Sequence, residues 1–251
     1  MLERGPRPKK LLSISADAKT VKGEKLGFLT GILYLAPGDL SGREVCPMAS
    51  DGCRASCLGA HAGRVVFLPS VMKSRLAKTD WYFEDRGSFM LQLVKDIEAL
   101  VRKAKREGLT PVVRLNGSSD IPWERVAFDV EIEGIVNHFS NIMTAFPNVQ
   151  FYDYTKRANR KVLPANYHLT FSLAEDNDAT AYEAMKNGLN VAAVFHEVPK
   201  TYKGFAVING DESDLRFLDE IPQSSGTFAG AGFVGLKAKG GAKNDTSGFV
   251  R

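Results

Sequence analysis

The stretch Ser88-Phe-Met-Leu-Gln-Leu-Val-Lys-Asp-Ile-Glu-Ala-Leu-Val-Arg-Lys-Ala-Lys-Arg-Glu107, followed by Gly108, Pro111-Val-Val-Arg-Leu115 and Asn116-Gly-Ser-Ser-Asp120, decides how the chain is built. Phe89, Leu91, Leu93, Val94, Ile97, Leu100, Val101 and Ala104 recur at helical spacing with charges between them, and Gly108 supplies a stop. The run that follows is short, β-branched and closed by a polar loop, as a strand feeding a loop should be. One helix leading into one strand is half of a crossover unit.

Outward from this unit the alternation repeats. A helical segment is expected from about Val130 to Ala145, ending before Pro147, and Val149-Gln-Phe-Tyr-Asp-Tyr154 reads as the next strand. Tyr167-His-Leu-Thr-Phe-Ser172 is another. A helix over Ala179–Lys186 then stops at Asn187-Gly188, ahead of strands at Asn190–Phe195, Phe205–Ile208 and Gly232–Leu236. Toward the N-terminus, Leu11–Ile14 and Gly27–Ala36 look extended, and Pro37-Gly38-Asp39 breaks the chain. Parallel neighbours need crossover connections, so the pattern predicts an α/β fold with mainly parallel strands, a (β/α) barrel or partial barrel, with a doubly wound open sheet as the alternative.

The 251 residues, 44% hydrophobic and 25% charged, fit a single domain over 1–251, with a basic tail at 1–10 and a cysteine loop at 37–64. Ser224–Gly232 is rich in Gly, Ala and Ser and reads as a loop. No run approaches the roughly 18 apolar residues of a membrane span, and the start of the chain lacks a signal-peptide core, so a cytoplasmic protein is expected. A net charge of +4 does not by itself declare a nucleic-acid binder. The basic clusters at Arg4–Lys10, Arg102–Arg106, Lys156–Lys161 and Lys237–Lys243 read first as solvated surface.

All three cysteines fall in Val45-Cys46-Pro-Met-Ala-Ser-Asp-Gly-Cys53-Arg-Ala-Ser-Cys57-Leu-Gly-Ala-His61, a C-x6-C-x3-C pattern. An odd number of clustered thiols argues against a disulfide framework and for metal ligation by Cys46, Cys53 and Cys57. Cys53 and Cys57, four apart, would share a face of one helical turn, and Arg54 would help lower their pKa values. A cuboidal 4Fe-4S cluster with one iron left open and a tetrahedral zinc closed by His61 both suit the donors. Placement directly after an early strand, where barrel enzymes hold their reactive groups, favours the cluster.

Other polar residues also gather at expected strand ends. Asp120, with Glu124 nearby, and Asp153 are candidate acids or bases, and Lys156 beside Tyr154 suits an anionic substrate. Arg114, Lys156, Arg157, Arg160, Lys237, Lys239 and Lys243 would make a phosphate-bearing small molecule or nucleic acid an attractive partner if they converged on one mouth. No Walker loop or Ser/His/Asp order is evident, which counts against NTP-driven and serine-hydrolase chemistry.

Across Leu12-Ser-Ile-Ser-Ala16, the Cys46-Pro, Cys53 and Cys57-Leu58 block, Val113-Arg-Leu-Asn-Gly117, Phe151-Tyr-Asp-Tyr-Thr-Lys156, Asp214-Leu-Arg-Phe217 and Gly235-Leu-Lys-Ala-Lys239, the sequence resembles the gene product 88 family carried by bacteriophages. That resemblance implies a phage origin, hence the host-cell cytoplasm, and no particular reaction. More distantly the order of features is similar to radical S-adenosylmethionine enzymes, which space their cysteines C-x3-C-x2-C on the loop after the first strand of a partial barrel. Their layout implies that Asn116, Gly117 and Ser118 hold the cofactor's amino group and that Ser172 and Glu175 meet its ribose or carboxylate. Two other readings stand beside this one. The first is a zinc barrel enzyme acting on a nucleobase, similar in layout to transglycosylases, with a barrel aspartate as nucleophile. The second is a non-enzymatic protein that binds nucleic acid or a host factor around a structural metal.

Overall fold

Most of the apolar stripe that begins at Phe89 is buried, but Leu91 is exposed, Val94 and Val101 are half-buried, and Met90, outside that stripe, is buried. Phe89, Met90, Leu93, Ile97, Leu100 and Ala104 are all fully buried on a helix that runs Arg86–Glu107. Its N-terminus is capped by Asp85, whose carboxylate accepts from Ser88 N, and Gly108 closes it in the left-handed conformation at φ 67°. The computed structural model describes residues 4–15, 18–132, 134–160, 162–221 and 230–251. Most of the expected loop at Ser224–Gly232 lies outside the described residues, as do Lys161 and the first three residues of the basic tail.

In chain order the first elements are β1 (Leu12–Ile14), α1 (Ala18–Lys25) and β2 (Phe28–Leu33). Four short helical turns follow, α2 (Gly38–Ser41), α3 (Asp51–Ala55), α4 (Leu58–His61) and α5 (Arg64–Phe67), before the long α6 (Pro69–Glu84) and α7 (Arg86–Glu107). Then come β3 (Thr110–Arg114), β4 (Phe128–Ile132), β5 (Ile135–Phe139), α8 (Ile142–Ala145), β6 (Gln150–Thr155), β7 (Tyr167–Ser172) and α9 (Asp178–Lys186). The described chain closes with β8 (Val191–Phe195), β9 (Thr201–Tyr202), β10 (Phe205–Asn209) and β11 (Phe233–Lys237).

Nine of these strands form one sheet in the order β1-β2-β3-β6-β7-β8-β11-β10-β9. Every pairing from β2 to β10 is parallel, and antiparallel β1 and β9 close its two edges. The fold is therefore mixed α/β with a large, mostly parallel sheet. Among the described residues, no helix is long and apolar enough to cross a membrane.

The helix expected over Val130–Ala145 is instead a hairpin, β4 with β5, followed by the single turn α8. Phe128 and Val130 alternate with exposed Asp129 and Glu131, a period of two, and Gly134 makes the turn at φ 79°. Val130, Ile132, Ile135 and Val136 are β-branched, which favours the pleated form over the helix.

The two faces of the large sheet differ. Leu29, Leu33, Val113, Leu115, Phe151, Tyr167 and Leu169 pack under α7 in the main core, and Phe171, Val191 and Ala193 pack with α9 residues Ala181 and Met185. Alternate residues turn to the opposite face, where Val112 and Tyr152 meet Leu215 and Phe217 from the segment after β10. Gly31 lets α7 approach, since a Cβ there would lie 3.0 Å from Leu100 Cδ2. Leu100→Ala should cost about 2–5 kcal/mol, read as a lower urea midpoint with unchanged slope; a loss under ~1 kcal/mol would mean α7 does not anchor the sheet.

Candidate metal centre

Each cysteine is held by a different local device. Cys46 follows Val45, whose carbonyl accepts from Asp120 N at 2.8 Å, so its strand of loop is pinned to the loop after β3. Cys46 N donates to Glu44 Oε1 (2.7 Å), and its thiol lies 3.7 Å from the carbonyl of Ser118. Ser50 starts α3 by accepting from Cys53 N at 3.2 Å while its hydroxyl donates to Glu175 Oε2 at 2.7 Å. Glu175 Oε1 also accepts from Gly52 N at 2.7 Å, so the loop after β7 grips the cysteine segment. Burial would raise the Glu175 pKa, but these donors outweigh it and hold the carboxyl below its usual range. A side chain at Gly52 would collide with Ser247, Phe249 and Glu175, which accounts for glycine beside Cys53.

Cys57 departs from the expected single helical face. α3 ends at Ala55, and Cys57, at φ −59° and ψ 115°, is the residue before α4, where its carbonyl accepts from Ala60 N and His61 N. Two short turns meeting at a corner thus replace one continuous helix. Ser118 and Cys57 both crowd Gly59: a Cβ there would meet Ser118 Cβ at 2.6 Å and Cys57 Sγ at 3.4 Å.

The thiols are free and half-buried. Burial, then the negative potential of Cys57, Asp120, Cys53 and Glu44, pushes Cys46 up to about 12. Cys57 is also raised, by burial first and by Cys53, against the lowering effect of the Gly59 and Ala60 amides and of Arg75. The nearby cation expected from the sequence was Arg54, but its guanidinium is taken by Asp39 (2.8 Å) and Glu44 (3.1 Å). Arg75 on α6 serves instead: it donates to Gly59 O at 2.5 Å and lies over the Tyr34 ring at 4.6 Å. No pattern in the sequence singled it out. His61 is exposed and borders an apolar groove with Leu40, Val65, Pro69 and Met72. Among the described residues, no three His, Cys, Asp or Glu side chains are grouped so as to hold a single ion.

The other sequence-predicted residues divide into two sets. Lys156 Nζ donates to Ser172 Oγ at 2.8 Å and lies 5.7 Å from the Phe249 ring, which borders Gly52 and so the cysteine segment. Ser118 and Glu175 therefore touch the cysteine segment directly, and Lys156 with Ser172 is linked to it through Phe249, all at one end of the sheet, its mouth. Asn116, Asp120 and Asp153 are buried and committed to one another's loops. Asp153 accepts from Asn116 N (2.7 Å), Asn116 Nδ2 (3.3 Å) and the Tyr167 hydroxyl (2.8 Å). Asn116 Oδ1 in turn accepts from Ser119, Ile121 N and Trp123. Asp120 accepts from Thr155 Oγ1 (2.8 Å) and Lys156 N (2.9 Å). Gly117 is fixed by space, since a Cβ would sit 2.7 Å from Ile32, the Leu33 carbonyl and Tyr34. The basic residues do not all converge: Arg160 pairs with buried Glu124 at 2.6 Å, Arg114 with Asp214 at 2.8 Å and Lys239 with Asp211 at 2.6 Å.

The chain matches the model of the family described as Gene product 88 over residues 10–251. It belongs to the gene product 88 family. No curated protein and no solved structure gives a significant match.

Two measurements probe this arrangement. In metal-free protein, Cys46 should react with iodoacetamide at neutral pH on the order of 10–100-fold more slowly than an ordinary cysteine, because the lost thiolate fraction is only partly offset by higher nucleophilicity. Its rate should still be climbing above pH 9; a plateau near pH 8.5 would contradict the raised pKa. Burial, against the amide of Asn116, lifts Asp153 to about 7. A carboxyl raised in the folded state stabilises most below its unfolded pKa near 4 and loses that contribution as pH climbs to about 7. Relative to Asp153→Asn, the unfolding midpoint of wild type should therefore fall as pH rises from about 4 to about 7; parallel curves across that range would refute this.

Proposed function

We propose that this protein is an iron–sulfur protein in which Cys46, Cys53 and Cys57 each hold one iron of a cuboidal cluster, with the fourth iron left open toward the mouth. The observation that carries the reading is the donor set. Burial, together with the potential of neighbouring thiols, raises Cys46 and Cys57, so thiolates at both are favoured only when a cation compensates them. A single tetrahedral ion with sulfur bonds of about 2.3 Å needs its donors gathered on one point. Among the described residues no three such side chains are grouped for one ion and His61 is exposed, so the choice of a cluster over zinc rests on where the cysteine segment lies.

The position fits a catalytic centre. The cysteine segment follows β2, the first parallel strand, and lies at the ends of β3, β6 and β7 where loops carry function in such sheets. A curled, partial-barrel form of the sheet is favoured by contacts between its distant parts. β2 and β10 are six positions apart, about 29 Å in a flat sheet. Yet Lys22, just before β2, reaches Asp211 O at 3.1 Å just after β10, and Phe28 meets Phe217 edge to face at 5.4 Å.

When bound, the cluster would supply one-electron chemistry, and its open iron a place for an incoming ligand. The protein's own groups define the rest. Lys156 offers a cation with no carboxylate partner among the described residues, and Ser172 orients its ammonium. Ser118 turns its carbonyl to Cys46, while Arg75 sets a positive charge behind Cys57. This suits an anionic small molecule, or the phosphate of a nucleotide or nucleic acid, in the cytoplasm of a phage-infected cell. S-Adenosylmethionine is a candidate co-substrate, held by Ser118, Ser172 and Lys156 rather than by Asn116 and Gly117, whose polar groups are already used.

Anaerobically reconstituted protein should be brown, with broad absorption near ~400 nm that bleaches on reduction, and should carry iron and sulfide. Colourless protein with stoichiometric zinc would overturn the reading in favour of a zinc enzyme. Replacing all three cysteines by alanine should abolish the colour and leave a folded chain; an unfolded product would make the metal structural. Titration of S-adenosylmethionine into the anaerobic protein decides the radical version, which an absence of binding removes.

A further inference from the structure

A parallel sheet covered on both faces is ordinarily apolar on both. Here the face away from α7 is polar. Thr30 on β2, Arg114 at the end of β3, Tyr152 and Tyr154 on β6, and His168 and Thr170 on β7 alternate with the core residues of their strands. The segment 211–219 lies over them and adds Asp214, Arg216 and Asp219.

Many polar atoms in this layer have no hydrogen bond. Arg216 is 1% exposed; its Nη2 donates to Ser213 O and its Nη1 lies 3.3 Å from Asp219 Oδ2, yet Nε and Nη1 form no hydrogen bond. The same holds for Arg114 Nε, His168 Nε2 and the hydroxyl of fully buried Thr170. These atoms share one neighbourhood. Arg216 acts electrostatically on both Tyr154 and His168, Tyr154 lies opposite Thr170 in register, and Leu215 packs on Val112 and Tyr152. Buried polar groups are almost always matched, so such a concentration asks what would match them.

The chemistry of the missing partner follows from the groups that lack one. Guanidinium N–H groups can only donate, and hydroxyls donate readily, while Asp214 and Asp219 already face Arg114 and Arg216. Apart from Asp219 Oδ2, which lies 3.3 Å from Arg216 Nη1 without a hydrogen bond, the unmatched atoms of this layer are donors or can donate, and a planar guanidinium is suited to the oxygens of a phosphate or carboxylate. We propose that this layer is an oxyanion-binding site, formed by Arg216, Arg114, His168 and Thr170 beneath the mouth that carries the cysteines. Burial first, and then the charge of Arg216, hold His168 below its ordinary pKa. Arg114, 16% exposed and stacked 4.8 Å from the Tyr154 ring, stands between the site and solvent. Ordered water is the competing occupant, and it would leave the site indifferent to anions.

The site stands independently of the metal and is tested on full-length, metal-free protein. Inorganic phosphate and, separately, acetate are titrated at constant ionic strength against chloride, following thermal midpoint and heat of binding. At least one oxyanion should raise the midpoint saturably, and Arg216→Met should weaken it tenfold or more; the arm that responds separates phosphate from carboxylate. Should Arg216→Met fail to fold, Thr170→Val keeps the shape, removes one hydroxyl, and should weaken binding severalfold. No stabilisation beyond chloride, or unchanged binding in the variant that folds, would overturn the proposal. Cys46→Ala/Cys53→Ala/Cys57→Ala protein should bind the anion as wild type does, so loss of the cluster reading and loss of this one are told apart.

Discussion

The mouth of this protein depends on one buried carboxylate. Asp153 has no exposure, and an unpaired carboxylate in such a place would be prohibitively costly. It is tolerated because the Asn116 amide, the Asn116 side chain and the Tyr167 hydroxyl all donate to it. Through Asn116 the constraint passes to Ser119, Ile121 and Trp123, fixing the loop after β3. That loop then presents Ser118 O to Cys46 and Asp120 N to Val45. The thiol position is thus set four links away from the group that anchors it, on the side of the sheet that packs under the helices.

This division of labour between faces explains why chemically similar residues have different roles. Asp120 and Asp153 are carboxylates at strand ends, as a general acid or base would be, but both point their oxygens into backbone and hydroxyl donors of neighbouring strands. Lys156, three positions after Asp153, has the opposite parity and turns toward the mouth and Ser172. One residue of register separates an anchor from a group available to a ligand.

Parity of this kind is only partly legible in a sequence. The strands β3, β6, β7, β8 and β11 were readable because their apolar runs are short, β-branched and bounded by turns, and α7 because its stripe is long. The hairpin β4–β5 was misread as a helix since its alternation competes with an i, i+3 coincidence in a polar stretch. The cysteine centre was legible as a cluster of thiols, while its geometry was not: the corner at Cys57 arises from contacts with Ser118 and Arg75, which lie 61 and 18 residues away in the chain. Arg75, half-buried behind the loop on α6, and Arg216, buried under the sheet, had no local pattern to reveal them. Their importance comes from tertiary burial of a charge, and burial of an isolated arginine is not written in its neighbours.

The cysteine loop also bears on what a metal would be for. In small zinc domains the metal supplies the folding energy, and the chain is unstructured without it. Here the loop is already held by the protein at several points: Glu175 takes Ser50 and Gly52, Asp120 N takes Val45, and Arg54 joins Asp39 and Glu44. Ser118 fills the space beside Gly59. Held so, Cys46 and Cys57 are kept close to other negative groups and away from water at the expense of their own ionisation, which disfavours their thiolate state until a cation arrives. A loop held in this way by the protein's own hydrogen bonds and ion pairs does not need a metal to keep the chain together, which is where it differs from those small domains.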